Sequence, residues 1–218
     1  SENILLDAPV SICTFFPDAS TPRVPSVAVA AGPFVFIYRN LRPYYKFSLP
    51  MLTVDEKENE MWTALSEGRA SVEQAKEALA GLRDSGVTLT SRSQDLLGLE
   101  DPGAIGAFVA EQKGRPLVQQ TACTCMEVLK KDSEDETAVS MLVVGTEAGQ
   151  VLLLDPSGSS VQTKVQLPSA PVLIAVTGML AVEWRAVCAC RDGNIYSIKG
   201  GELMGTVIEL ESMPCGLV

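Results

Sequence analysis

Three stretches of the chain carry one pattern: a short apolar strand, a turn containing glycine, and a second apolar strand. They are SVAVAAGPFVFIYRN (26–40), SMLVVGTEAGQVLLLD (140–155) and RAVCACRDGNIYSIKG (185–200). A hairpin that recurs reads as an array of similar small sheets, usually the blades of a β-propeller, in which each sheet buries its apolar faces against its neighbours. Such a scaffold turns attention from a reaction to what the scaffold holds.

Further strands complete each hairpin to a set of four. The first set covers 9–50, with strands expected at 9–16, 26–31, 34–38 and 44–49, and Pro50 ends it. The second covers 120–168 and the third 171–211, and a strand opening a further blade is expected at 213–218. The later sets have the spacing of roughly 40 to 50 residues usual for propeller blades. The fold class expected is therefore mainly β: a partial propeller of three four-stranded antiparallel blades plus one further strand. Three blades cannot close a ring that needs roughly four to eight. The pattern predicts part of a longer propeller, with blade faces open at both ends unless another chain covers them. A compact monomer silent to hydrophobic dyes would count against that expectation.

Between the first and second sets the periodicity changes from strand to helix, over 53–115. Ser71-x-x-Gln74 is a capping box, so a helix begins at Val72, and Val72, Ala75, Leu79 and Leu82 form one apolar stripe. Gly86 suits the left-handed stop after it. Asp101-Pro102 pairs an N-cap with proline at the first helical position. Met61, Trp62 and Leu65 mark an earlier helix, and Leu96, Leu97 and Leu99 a shorter one.

Composition excludes several functions. The net charge of −10 argues against nucleic acid and against direct adsorption to anionic lipid, so a membrane role would need an intermediary. No apolar run reaches the roughly 20 residues of a membrane span, and no secretory leader is expected at Ser1. Acid concentrates at 55–60 and 132–136, read as solvated loops or helix starts, with a docking surface for a basic partner as the sharper alternative. Histidine is absent, which removes the commonest general base and metal ligand, and with them Ser-His-Asp and Cys-His mechanisms.

The six cysteines include two C-x-C pairs, Cys123/Cys125 and Cys188/Cys190. In a strand, residues two apart share a face, so both members of each pair are expected on one side. A zinc site is conceivable, but structural ligands normally sit on knuckles at wider spacing. Free cysteines packed in strand cores fit the pattern better. No catalytic, cofactor or metal residues are expected.

Candidate contacts lie on the surface. Arg39, Asn40, Leu41, Arg42, Tyr44 and Tyr45 surround the third turn of the first blade, and Tyr and Arg are common interface hot spots. Trp62, on the helical insertion, either packs the insertion or meets a partner. Arg191, Asp192 and Asn194 occupy a tight turn at a blade rim, where loops carry contacts and strands hold them rigid. The plain alternative is that all of these are edge-strand alternation and turn chemistry.

The run YRNLRPYYKFSLP (38–50) closely resembles the N-terminal propeller of the Bardet–Biedl syndrome protein 1 family, a subunit of the BBSome ciliary coat. Val144-Gly145-Thr146-Glu147, Leu154-Asp155-Pro156, Leu167-Pro168-Ser169 with Pro171, and Ala189-Cys190-Arg191 with Gly193-Asn194-Ile195-Tyr196 resemble it in the same order, across all three blades. The helical insertion is similar in position and length but not in detail. The resemblance implies a non-enzymatic scaffold for ciliary membrane-protein trafficking. Its propeller would dock a GTP-bound Arf-like small GTPase that recruits the coat to membranes, with GTP and Mg on the GTPase. It also implies other BBSome subunits as partners, and a location in the cytoplasm, cilium, ciliary membrane and basal body. Two further readings stay open: a generic propeller scaffold binding another protein through its insertion, and a propeller enzyme or metal protein using the four paired cysteines.

Overall fold

The computed structural model describes residues 5, 7–212 and 214–217. The chain divides into a β unit (1–49 and 121–218) and a helical unit (50–120).

The β unit holds three four-stranded antiparallel meanders. The first is β1 (Pro9–Phe15), β2 (Ser26–Ala31), β3 (Phe34–Arg39) and β4 (Arg42–Ser48). The second is β5 (Cys123–Lys130), β6 (Ser140–Thr146), β7 (Gln150–Leu154) and β8 (Val161–Gln166). The third is β9 (Pro171–Met179), β10 (Glu183–Cys190), β11 (Asn194–Lys199) and β12 (Glu202–Glu209). A parallel bridge, Lys130 to Met179, joins the second and third into the run β12-β11-β10-β9-β5-β6-β7-β8. The first lies against the second: the Cys123 amide donates to the Gly32 carbonyl at one end of β1, and the Ser140 amide donates to Phe16 at the other. The opening strands β1, β5 and β9 therefore run in the same direction, as blades do where they converge on a propeller axis. This is a partial β-propeller with a helical insertion.

Stacking the meanders face to face explains their patterning. Phe15, Ala28, Val35, Ile37 and Phe47 of the first pack on Met126, Leu142, Val144, Leu152 and Leu154 of the second. Leu129, Met141, Val143, Val151 and Leu153, from the second's other face, pack on Ile174, Trp184, Ala186, Cys188, Tyr196 and Ile198 of the third. The middle meander is covered on both sides, so every residue of β6 and β7 is buried and their sequences read as continuous apolar runs. In the first meander burial alternates along much of β2 and β3. One far face carries the cross-strand row Ile12, Val29, Phe36, Lys46, and the other the row Leu173, Ala189, Ile195, Ile208.

Three strand expectations change. β4 starts at Arg42 rather than Tyr44, because a register shift beside Ile37 and Tyr38 lets Pro43 lie opposite Tyr38 on an outer edge that needs no proline N–H. Residues 214–217 form no strand, and Pro214 lacks a backbone donor. Met213 and Val218 lie outside the described residues. The third change concerns the first cysteine pair. A bulge between Cys123 and Cys125 inserts a residue, sending Cys123 into the contact with the first meander and Cys125 into the contact with the third. Cys188 and Cys190 do share a face.

Burial pushes the thiols up, to about 12 for Cys13, Cys123, Cys188 and Cys190, and about 11 for Cys125. They pack as small hydrophobes and are weak nucleophiles. Among the described residues, no group of His, Cys, Asp or Glu is arranged to hold a metal. At pH 8 a chromogenic disulfide reagent should therefore titrate exposed Cys215 first, and the buried thiols only on unfolding. Folded-state thiol pKa values above the ordinary 9 mean that the unfolded chain loses those protons first as pH rises. Stability should then fall between pH 9 and 12, by about 1.4 kcal/mol per pH unit for each thiol involved. Denaturant midpoints measured across that range check the sign.

The helical unit contains α1 (Glu56–Ser66), α2 (Val72–Asp84), α3 (Ser91–Gly98) and α4 (Pro102–Gln112). Asp55 caps α1 by accepting from the Lys57 and Glu58 amides, the Ser71/Gln74 capping box starts α2, and Asp101 caps α4. Trp62, Leu65, Ala75, Leu79, Leu89 and Leu96 form its core. The acidic run 55–60 is thus a helix start, but Glu58 is fully buried. Its Oε1 accepts from the Thr90 amide (3.0 Å), the Thr90 hydroxyl (2.6 Å) and the Ser93 hydroxyl (2.5 Å), while Trp62 Nε1 donates to Ser93 Oγ at 2.8 Å. A carboxylate from α1 thus supplies the N-terminal acceptor for α3 that Thr90's own side chain does not. The second acidic run, 132–136, is a mostly exposed loop between β5 and β6.

Candidate functional site

The turn between β3 and β4 is two residues long, and both carry positive φ: Asn40 at 50° and Leu41 at 58°. A tight hairpin requires this backbone because it matches the twist of the strands, and Asn-Gly is the favoured pair. Asparagine tolerates it. Leucine does not, at a cost of about 1 kcal/mol or more. The Leu41 side chain is 76% exposed, so no packing offsets that cost. The fold spends stability to hold a large apolar side chain in solvent at the tip of a rigid hairpin.

Charge and aromatic groups surround the tip. Arg39 pairs with Asp18 at 2.9 Å, and its guanidinium carbon lies 6.0 Å from the Tyr44 ring centroid. Hydrogen bonds from Ser20, helped by Arg39, hold the Asp18 carboxyl below the usual carboxylate range. Arg42 has no ion-pair partner among the described residues, and with Arg39, Asn40, Pro43 and Tyr44 it lines a shallow depression. Tyr45 is opposite Ile37, and Tyr44 and Tyr45 are both substantially exposed. Of the expected contacts, Arg39, Asn40, Arg42 and Tyr44 line this depression together, Leu41 stands at the turn beside them, and Tyr45 lies across from Ile37 on the same hairpin. Asp18, which orients Arg39 from the β1–β2 connection, was not foreseeable from the motif.

Arg191, Asp192 and Asn194 lie elsewhere. The β10–β11 turn sits at the Pro171 end of β9, whereas the β3–β4 turn sits at the Phe15 end of β1. With the opening strands running in the same direction, these are opposite rims. Asp192 accepts from the Tyr196 hydroxyl at 2.7 Å and from both the backbone and side-chain nitrogens of Asn194. Desolvation opposes its ionisation, but these donors outweigh it and hold the carboxyl low. Arg191 reaches across to Glu147 in the equivalent turn of the second meander, at 2.7 Å. These groups tie turns together. Trp62 is only 7% exposed, edge-on against Phe108 in the helical core, and what it shows outward is confined to the wall of a pocket in that unit.

Stacked four-stranded meanders with parallel opening strands define the chain as a propeller-type repeat protein. The family model for ciliary BBSome complex subunit 1 matches residues 1–199. The chain belongs to that family. It is 40% identical over 220 aligned positions to BBSome complex member BBS1 of Mus musculus and, equally, of Homo sapiens. The whole chain is covered, but it spans 37% of the length of these curated relatives. Among solved structures it is similar to crystal structures of BBS1N in complex with ARL6DN. For the mercury-soaked crystal the TM-score is 0.69, with 36% identity over 99% of this chain and 48% of the other. For the lead-soaked crystal it is 0.70, with 36% identity over 99% and 49%.

Proposed function

We propose that this chain is a non-enzymatic scaffold of the BBSome coat that docks a GTP-bound Arf-like small GTPase through the β3–β4 hairpin. The reading rests on the 36% identity across 99% of the chain to a propeller crystallised with ARL6DN. The hairpin supplies a mechanism. Leu41 offers an apolar anchor at the turn, and Arg42 an uncommitted cation and Tyr44 and Tyr45 amphipathic area on a paired strand that loses little freedom on binding. Selection for GTP follows from the ordering of GTPase switch segments by the γ-phosphate and Mg. The acidic surface is then compatible with a membrane role, because the GTPase makes the membrane contact. Other BBSome subunits are further partners, and the work is protein transport between cytoplasm, basal body and ciliary membrane.

One substitution separates folding from docking. Leu41→Gly removes the anchor while relieving the positive φ, so stability should rise by about 1 kcal/mol as affinity for the GTP-loaded GTPase falls about tenfold. Arg42→Glu should weaken binding at unchanged stability. Pull-down and titration calorimetry with GTP- and GDP-loaded partner measure both. Equal binding of the two nucleotide forms would sink the mechanism, and undiminished binding by both variants would move the site off this hairpin.

A further inference from the structure

The helical unit contains a pocket of about 300 Å³ between α1, the start of α3 and the segment following α4. Its wall includes Arg92, Lys113 and Arg115 and no Asp or Glu, although the chain as a whole carries a net charge of −10. Buried Trp62 and Leu65 and half-buried Val109 and Leu117 supply its apolar part, while Lys113 and Arg115 are exposed at its margin.

We propose that this pocket binds a short acidic peptide segment of a protein partner, with an aliphatic side chain against the Trp62–Leu65 wall and carboxylates on Arg92, Lys113 and Arg115. Arg92 is built into position. Its Nη1 donates to the Arg115 carbonyl at 3.1 Å and its Nη2 to the Pro116 carbonyl at 2.8 Å, and its guanidinium carbon lies 5.3 Å from the Trp62 ring centroid. That clamp holds a planar cation without neutralising it. Burial, and next the Arg115 charge, hold the Arg92 pKa below its ordinary value, with Glu58 opposing. An anion placed between the two arginines would relieve that repulsion. The competing acids are few. Glu111 meets Arg115 at only 3.5 Å on an exposed surface, and the Glu58 Oε1 that faces α3 is already taken by Thr90 and Ser93. Lys113 has no ion-pair partner among the described residues.

The choice of a peptide follows from size and surroundings. The cavity has room for one or two side chains, at the low end for ligand sites. The net charge of −10 would repel an extended polyanion such as nucleic acid or an anionic membrane. A short segment that concentrates its charge at the pocket meets little of that repulsion.

The probe is a fluorescein-labelled peptide of glutamates around a central leucine, titrated into the full chain and followed by polarisation. Lys113→Glu with Arg115→Glu should weaken binding at least tenfold. The charge-reversal control Arg83→Glu, outside the pocket, should leave it within twofold. A peptide with glutamine for glutamate should bind at least tenfold more weakly. In nitrogen-labelled wild-type protein the Trp62 indole N–H signal should shift on peptide addition and that of Trp184 should not, a readout that needs no variant to fold. Absence of glutamate-peptide binding, equal losses in the double variant and in Arg83→Glu, or phosphatidylserine vesicles binding where the peptide does not would overturn the proposal.

Discussion

Trp184→Ala should destabilise the β unit by about 3 to 5 kcal/mol, the usual cost of deleting a buried aromatic side chain. Trp184 is 5% exposed and lies in the cluster between the second and third meanders, with Tyr196 and Ile198 from its own sheet and Met141 and Leu153 from the neighbouring one. No polar group is left unpaired by the change, so the loss is one of packing and transferred area. In thermal denaturation the midpoint of the β unit should drop by roughly 10 °C. The only other tryptophan, Trp62, belongs to the helical core, so residual fluorescence in the variant reports that unit alone. A shift of under 2 °C would mean that Trp184 is not at a meander interface.

Gly178→Val should cost about 3 kcal/mol or more, and for a different reason. Gly178 sits in β9 opposite Trp184, at φ of 84°. A Cβ there would come within 2.1 Å of the Glu183 carbonyl oxygen. That neighbour is backbone in a paired strand and cannot turn away as a side chain could. A β-branched residue adds left-handed strain to the overlap, each on the order of 1 to 3 kcal/mol. Gly178→Ala meets the same contact without the branching and should be the milder of the two. Denaturant titration of both variants gives the order, and a Val variant as stable as the parent would refute it.

Much of the fold was legible because it is written in short-range pattern. Alternation marks the half-covered strands, and continuous apolar runs mark β6 and β7. The Ser71/Gln74 box and Asp101-Pro102 start helices through groups within three residues of one another. The misreadings share one feature. Each depends on a partner distant in the chain. Cys123 and Cys125 point to opposite faces because pairing with β6 imposes a bulge, and no property of Cys-Thr-Cys announces it. A stripe of Met61, Trp62 and Leu65 looks the same whether it meets a partner or its own core. Its assignment required Phe108 and Ser93, which α4 and α3 deliver. The cationic pocket was missed for the same reason: Arg92 is separated from Lys113 and Arg115 by α3 and α4, so no local charge run reveals it.

The candidate docking surface divides in the same way. Residues 39–45 were recognisable as a contiguous motif rich in arginine and tyrosine. That Leu41 stands in solvent at positive φ, that Asp18 ties Arg39, and that the Arg191 turn lies on the opposite rim emerged only from the packed meanders. By itself the sequence determined a repeat of four-stranded units interrupted by helices, because strand and helix periods are set within a few residues by burial on alternating or spiral faces. Tertiary structure decided which of those faces are shared and which are open. It also decided which cations and side chains are brought together, because contact between distant segments is a property of registers, bulges and stacked sheets that no local pattern encodes.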